Sequence, residues 1–463
     1  MLLPLSLLSL LLSAPAPVTA QEAQAQAQAP LQFELPNLQT SIAISANITN
    51  PYFAVQQQEL KPTCIIHPES AEPLSRIVLP DGLLIDLSWL NTVTISEDES
   101  IASIGTVCRW MDVYPVLEER GFLVVGGRAD TVGVGYRSYL ADTGGPSTTS
   151  ATTNSFPDLY WSLRGGGNNF GIVTRFDFEA HRHEQISGGT NVFLLDDLES
   201  RIPSLYLQNP WEWSLHSIIS RTSRLLASTL VKFGRSVHSR EFINEFVKLA
   251  DEKQTDTGAH AGPDENPEVS ADLSKMPKLY STQRVAKMSE FTREIDGQNE
   301  MLRGRRNTRR TMTLKVDAEL ISDILDVFLE HTHPFTKIPG VLLSTNLQLL
   351  TKHEIGLFGR NGGNALGIHP DDGPLFCITT FSHEDPAADE KLATVAEDIM
   401  AQVTAIAKER GLFHPFIYQN YAGAGQDVYA GYGADNRAIL AEIQKKYDPE
   451  GVFWKLQPGY YKV

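Results

Sequence analysis

The sequence predicts an α+β fold in two domains, and three observations carry that reading. The chain has 463 residues, enough for two separate cores, and its 42% hydrophobic and 21% charged residues are the proportions of an ordinary globular protein. Strand-like and helix-like segments alternate irregularly after residue 178, with no internal repeat. The triple glycine Gly165-Gly166-Gly167 follows a helix-like segment and leads into strand formers. A dinucleotide-binding turn has the opposite order, strand then glycines then helix, so that phosphates meet a helix N-terminus.

The elements follow in order. Leu2 to Leu12 is an apolar run too short to span a bilayer, and it leads through Pro15 and Pro17 to Val18-Thr19-Ala20, a small-residue cleavage pattern. The expectation is a secretory signal peptide over 1–20, cut after Ala20, then a low-complexity spacer over 21–45. Asn47-Ile48-Thr49 is a glycosylation sequon, and a secreted chain would expose it. Cys64, Cys108 and Cys377 allow at most one bridge within the chain. Gly82 to Leu90 and Thr92 to Ile104 read as strands, and Arg109 to Arg120 as an amphipathic helix stopped by Gly121. Phe122 to Val125 is a short apolar strand ending in Gly126-Gly127, with Gly133 and Gly135 close behind. Glycines so placed let backbone N–H groups approach an anionic ligand, or simply make a turn.

Leu159, Trp161 and Leu163 belong to a helix before the triple glycine, and Ile172, Val173 and Thr174 begin a strand after it. Asp251 to Pro277 reads as a polar surface loop, and Arg303 to Arg310 (RGRRNTRR) as a solvated basic loop or a grip on an anionic group of a ligand. Leu320, Ile321, Ile324, Leu325 and Phe328 line one face of a helix with Asp317 as N-cap. Val341 to Leu350 and Leu375 to Phe381 read as strands. Leu392, Val395, Ile399, Val403 and Ile406 mark a helix closed by Gly411. Ile439 to Phe453 is a helix with a break at Asp448-Pro449.

The formal charge of −17 argues against a nucleic-acid or anionic-lipid partner, and no other stretch is long enough to cross a membrane. His181-Arg182-His183 and His331-Thr332-His333 lack the spacing of a metal site, so no metal is assigned. Glu384 and Asp385 form a neighbouring carboxylate pair of the kind a glycoside hydrolase uses, in a chain rich in acidic residues.

The segment Arg164 to Phe178 (RGGGNNFGIVTRFDF) resembles the RGGGxNFGIVTxF motif of the berberine-bridge-enzyme-like flavoproteins, which have the PCMH-type FAD-binding fold of the vanillyl-alcohol oxidase superfamily. Further pieces match the family in its order: NPYFAVQQQEL from Asn50, CIIHPES from Cys64, GLLIDLSWLN from Gly82, RWMDVYPVLEERGFLVVGGRADTVGVG from Arg109, GGNALGIHPDDG from Gly362, YQNY from Tyr418 and YDPEGVFWKLQ from Tyr447. The resemblance implies an FAD domain over 46–185, a substrate domain over 186–414 built on an antiparallel sheet, and a segment over 415–463 returning to the FAD domain. It implies FAD binding through Gly126, Gly127, Gly133, Gly135, Gly171, Ile172 and Val173, with Asn420 at the flavin and Tyr418 as the base. A tyrosine titrates near pH ~10, so such a base needs a cation or hydrogen bond, and the cation must come from outside 413–435, which holds no Lys or Arg.

Two family segments have no counterpart. Between Val78 and Leu84 there is no room for the strand and loop that carry the flavin-linking histidine, and after Gly135 the glycine-rich run with a second linking cysteine is absent. Trp211 to Leu230 has no counterpart in the family either. The expected cofactor is therefore non-covalent FAD. The expected function is oxidation of an alcohol, amine or ring carbon of a small secondary metabolite, in a secreted fungal-type monomer with O2 as acceptor. A non-catalytic or mis-spliced relative without a complete FAD site is the alternative.

Overall fold

The computed structural model describes residues 87–136, 152, 154–183, 185–192, 280–335, 338, 340–350, 352–456 and 461–463, with strand segments at 40–43, 64–68, 83–85, 217–218 and 228–230. The expected leader, the Asn47 sequon and the loop at 251–277 lie outside them, as do the side chains of Cys64 and Cys377; of the expected spacer only 40–43 is described, and it is strand there. Among the described residues, no helix is long and apolar enough to cross a membrane.

The chain forms two compact units, Met1–Asn50 with Lys61–Leu87, and Pro51–Leu60 with Ser88–Val463. The first holds a three-stranded sheet of β1 (Thr40–Ala43), β2 (Cys64–Pro68) and β3 (Leu83–Ile85), antiparallel then parallel. The boundaries expected at 185/186 and 414/415 fall inside the second unit.

In the second unit, β4 (Val93–Ile95) and β5 (Ile101–Gly105) make a hairpin whose turn is fixed by Asp98, which accepts from the Ser96 and Ser100 hydroxyls. Helix α1 (Trp110–Glu118) starts with a capping box, Arg109 N–H donating to Asp112 Oδ2 at 2.8 Å, and stops before Gly121 at φ 75°. Strand β6 (Phe122–Leu123) follows, and α2 (Pro157–Leu163) precedes the triple glycine. Strand β7 (Arg175–Glu179) joins β5 with Arg175 opposite Gly105. Ile172 and Val173 therefore lie in the loop before β7 rather than in a strand, because their would-be partner strand ends at Gly105. Strand β8 (His181–Arg182) pairs with β6. Val113, Leu117, Phe122, Phe178 and the stacked Trp110–Tyr114 pair fill the core of this region.

The rest is built on antiparallel pairings. β9 (Ile186–Gly188) and β14 (Arg284–Ala286) pair, and an eight-stranded sheet takes β10 (Thr190–Val192), β11 (Ser217–Ile218), β12 (Ser228–Leu230), β13 (Tyr280–Ser281), β15 (Arg306–Lys315), β16 (Leu342–Leu349), β17 (Pro374–His383) and β18 (Phe413–His414). Its order is β13-β10-β11-β12-β16-β17-β15-β18. Helix α3 (Met288–Asn299) is tied to α1 through Glu118, which accepts from the backbone N–H of Ser289 at 2.8 Å and from its hydroxyl at 2.6 Å. Helix α4 (Ala318–Thr332) is capped by Asp317, whose side chain accepts from Leu320 N at 2.8 Å. It packs with α6 (Asp389–Glu409) on one sheet face, burying Leu320, Ile324, Phe328, Leu392, Ile399 and Val403 against Met312, Leu314 and Phe381. Helix α5 (Lys352–Leu357) lies between β16 and β17 in sequence.

RGRRNTRR is not a solvated loop. Its second half is β15, and four of its five arginines meet carboxylates: Arg303 on Glu300, Arg305 on Glu384, Arg306 on Asp389 and Arg310 on Glu397. Glu384 and Asp385 are likewise structural, the first on Arg305 and the second capping Ala387 N–H at 2.9 Å.

The tail is helix α7 (Ala434–Tyr447) and helix α8 (Val452–Leu456), with the break where the sequence puts it. Asp448 makes the break productive, for its carboxylate accepts from Val452 N at 2.7 Å and Phe453 N at 3.0 Å. Lys446 and Tyr447 both bond Asp158 of α2, so the tail closes on the element before the triple glycine.

Candidate functional site

The triple glycine is held by the C-terminal segment. Tyr429 Oη donates to the carbonyl of Gly166 at 2.8 Å and Tyr432 Oη to that of Gly165 at 3.1 Å. Asn169 Nδ2 donates to Gly166 O at 2.8 Å and to Tyr429 Oη at 2.9 Å. Burial pushes the titration of Tyr429 and Tyr432 well above the usual tyrosine value. Both remain phenols, which is what donors to carbonyls must be.

The tight joint needs glycine. At Gly167, φ is 65° and a Cβ would stand 2.6 Å from Gln419 Nε2 and 3.1 Å from Tyr429 Oη. A Cβ at Gly165 would meet Leu366 Cδ2 at 2.9 Å. Gly171 has open space where a Cβ would be.

The YQNY residues form a short turn directly after strand β18 and the stretch Pro415 to Ile417. Tyr418 is fully buried, its hydroxyl accepts from Asn420 Nδ2 at 3.1 Å, and its ring meets that of Tyr421 edge-on at 4.6 Å between centroids. Arg128 Nη2 donates to Tyr421 Oη at 3.2 Å. The cation that the sequence required from elsewhere therefore arrives from the residue after Gly127, and it arrives at Tyr421.

The remaining glycines divide into two sorts. Cβ atoms on Gly126 and Gly127 would lie 2.2 Å from Trp110, against the benzo edge of the indole at Gly126 and Nε1 at Gly127. These two glycines make room for Trp110, and their side of the turn is filled. The nearest atom to a Cβ on Gly133 is Cys108 O at 4.0 Å, and on Gly135 it is Thr106 Oγ1 at 3.5 Å, so both stay clear.

The fit to a flavin is thus one-sided. Asn168 Oδ1, Asn169 Oδ1 and Gln419 Oε1 are buried acceptors with no hydrogen-bond partner, and the imide edge of an isoalloxazine carries one N–H, between two carbonyls, that could satisfy one of them. Gly171, Gly133 and Gly135 leave backbone approachable. At Gly126 and Gly127 the Cβ side is occupied by Trp110. Among the described residues, no group of three or more His, Cys, Asp or Glu could hold a metal.

The structure brings Tyr418, Asn420 and the triple glycine together. It adds Arg128, Asn169, Gln419 and Tyr429, which spacing did not single out. Arg128 and Gln419 each sit beside a motif residue, but only the fold shows which atoms they touch.

No family model matches the chain. Two fungal relatives align along most of its length. It is 27% identical to the FAD-dependent monooxygenase FUP4 of Fusarium proliferatum, over 89% of this chain and 87% of that protein. It is also 27% identical to the FAD-dependent monooxygenase tpcD of Cochliobolus heterostrophus, over 91% and 89%. The first alignment runs 478 positions against a chain of 463, so it opens gaps within this sequence. Among solved structures, 6-hydroxy-D-nicotine oxidase from Arthrobacter nicotinovorans matches with a TM-score of 0.60 at 16% identity, over 92% of this chain and 100% of that one. Glucooligosaccharide oxidase from Acremonium strictum, with its 6-S-cysteinyl, 8α-N1-histidyl FAD, matches with 0.51 at 17%, over 87% and 91%. The solved neighbours are PCMH-type FAD-binding oxidases, and their fold is the fold of this chain. These two relatives and the solved neighbours are FAD-dependent oxidoreductases. That agreement supports an enzyme.

Proposed function

We propose that the chain is an FAD-linked oxidoreductase that oxidises an alcohol, amine or ring carbon of a small secondary metabolite, with O2 as acceptor. The observation that carries this is the junction of two distant motifs, the triple glycine and YQNY, through Tyr429, Asn169 and Gln419. When bound, the flavin supplies the two-electron chemistry, and the protein has to hold the ring and take a proton. One of the Asn168, Asn169 and Gln419 oxygens would accept from the single imide N–H, and Gly133, Gly135 and Gly171 would let backbone approach the ligand. The proton acceptor belongs to the Tyr418–Tyr421 pair. A guanidinium donor favours the phenolate, and Arg128 supplies it at Tyr421. Asn420 holds Tyr418 in place. Linkage is non-covalent, because the segments that carry the linking histidine and cysteine in the family are missing.

The test is the absorbance of purified protein titrated with FAD. Saturable binding and a flavin spectrum are expected, followed by O2-dependent turnover on screened metabolites. A Y421F variant is then expected to lose about 10²-fold or more in kcat, the scale of a general base. A second reading, a non-catalytic relative, is favoured by Trp110, which fills the space beside Gly126 and Gly127. An absence of FAD binding at any concentration would select it. Secretion after cleavage at Ala20, glycosylation at Asn47 and a monomeric state complete the proposal, and intact-mass measurement of secreted protein checks all but the last.

A further inference from the structure

The fifth arginine of RGRRNTRR behaves differently from its neighbours. Side chains alternate across a strand, and Arg306, Arg310, Met312 and Leu314 of β15 all face the helix layer, the two arginines reaching Asp389 and Glu397 of α6. Asn307, Arg309, Thr311 and Thr313 consequently face the other side. Thr311 and Thr313 are buried there, and along the edge of β15 Gln426 bonds both backbone groups of Thr311 while β18 pairs with Thr313. Arg309 is half-buried. Among the described residues, its guanidinium has no carboxylate partner.

A second observation lies on the same face. Register pairs Asn307 with Ser382 and Arg309 with Thr380, so Ser382 is the diagonal neighbour of Arg309. Phe381 points into the helix layer, hence Ser382 points away from it. Ser382 is 1% exposed and its Oγ has no hydrogen-bond partner. A buried hydroxyl without a partner costs free energy that a ligand can recover. The position also suits a ligand of the flavin site, since the backbone at Gly423, two residues after Tyr421, passes against the Arg309 carbonyl, where a Cβ would stand at 2.0 Å.

We propose that Arg309 and Ser382 form an anchor for a carboxylate on the substrate, on the polar face of the eight-stranded sheet. As a substrate anchor it rests on the oxidoreductase reading above; as an anion site it does not. One guanidinium and one hydroxyl match a single charge, and the chain's net charge of −17 disfavours polyanions.

Calorimetric titration of the full chain with benzoate, and with benzamide as its neutral counterpart, tests this. Saturable benzoate binding, at least tenfold weaker for benzamide, is expected. R309Q should weaken benzoate by about tenfold or more and S382A by a smaller factor, while R305Q, whose guanidinium already sits on Glu384, should not change it. R309K guards against a folding artefact, since it keeps the charge and should retain part of the affinity. Equal affinity for the two probes, no benzoate binding, or R309Q binding like the parent would overturn the proposal. FAD content is measured on the same samples. Benzoate binding without FAD binding leaves the anion site standing and removes the oxidoreductase reading.

Discussion

Trp110 explains more of the glycine pattern than a phosphate would. Its indole occupies the space where Gly126 and Gly127 would carry Cβ atoms, while Gly133 stands clear. Substituting Gly127 with alanine is expected to cost about 2–3 kcal/mol, because a buried ring must move, and a lowered denaturation midpoint would show it. Gly133→Ala should leave stability within about 0.5 kcal/mol and, if backbone there meets the ligand, weaken FAD binding. Unchanged FAD affinity would remove Gly133 from the site. Cys108 offers a further check. Burial, then the nearby Asp112 charge, pushes its thiol up to about 11, so a disulfide reagent at pH 8 should not label it until the protein is unfolded.

At the scale of elements, β18 is pinned by a histidine. His414 Nδ1 accepts from Phe416 N–H at 3.2 Å and Nε2 lies 3.2 Å from Asp372, so the neutral ring already uses both nitrogens. Burial holds His414 below the usual histidine value, outweighing Asp372, which acts the other way; Lys315 and His369 add to the lowering. The native state thus refuses a proton that the unfolded chain accepts near pH 6.5. The resulting stability is present above that pH and lost as pH falls below it. The melting temperature should decline from about pH 6.5 downward. H414Q should flatten that limb without touching the lower one that the carboxylates set, such as Asp389, which its Arg306 bond holds below the ordinary value. Similarly, D448A should cost about 1 kcal/mol by uncapping α8.

Over the whole molecule, the proposed non-covalent linkage has a plain test: denaturation should release all flavin into the supernatant, and colour retained on the denatured chain would contradict it. Much of the fold was legible because it is local. Asp317 announces α4, Gly411 follows the end of α6, and Asp448 marks the break in the tail, each through hydrogen bonds or dihedrals that a few neighbouring residues determine. Strand β15 was illegible for the opposite reason. Two of its arginines, Arg306 and Arg310, are neutralised by Asp389 and Glu397 from 83 and 87 positions away. Half of the candidate site suffered likewise: YQNY and the triple glycine are visible as motifs, but Arg128 reaches Tyr421 only once the chain has folded.

The tyrosine caps on Gly165 and Gly166 have a consequence in time. Their donors are made more than 260 residues after their acceptors. During synthesis, the glycine turn must therefore wait for Tyr429 and Tyr432 to emerge before its carbonyls find these two donors. Pairings of such sequence separation form late and slowly. Ribosome-bound chains stalled before Tyr429 should consequently show a protease-sensitive bond near Gly166 that disappears when the full chain is released.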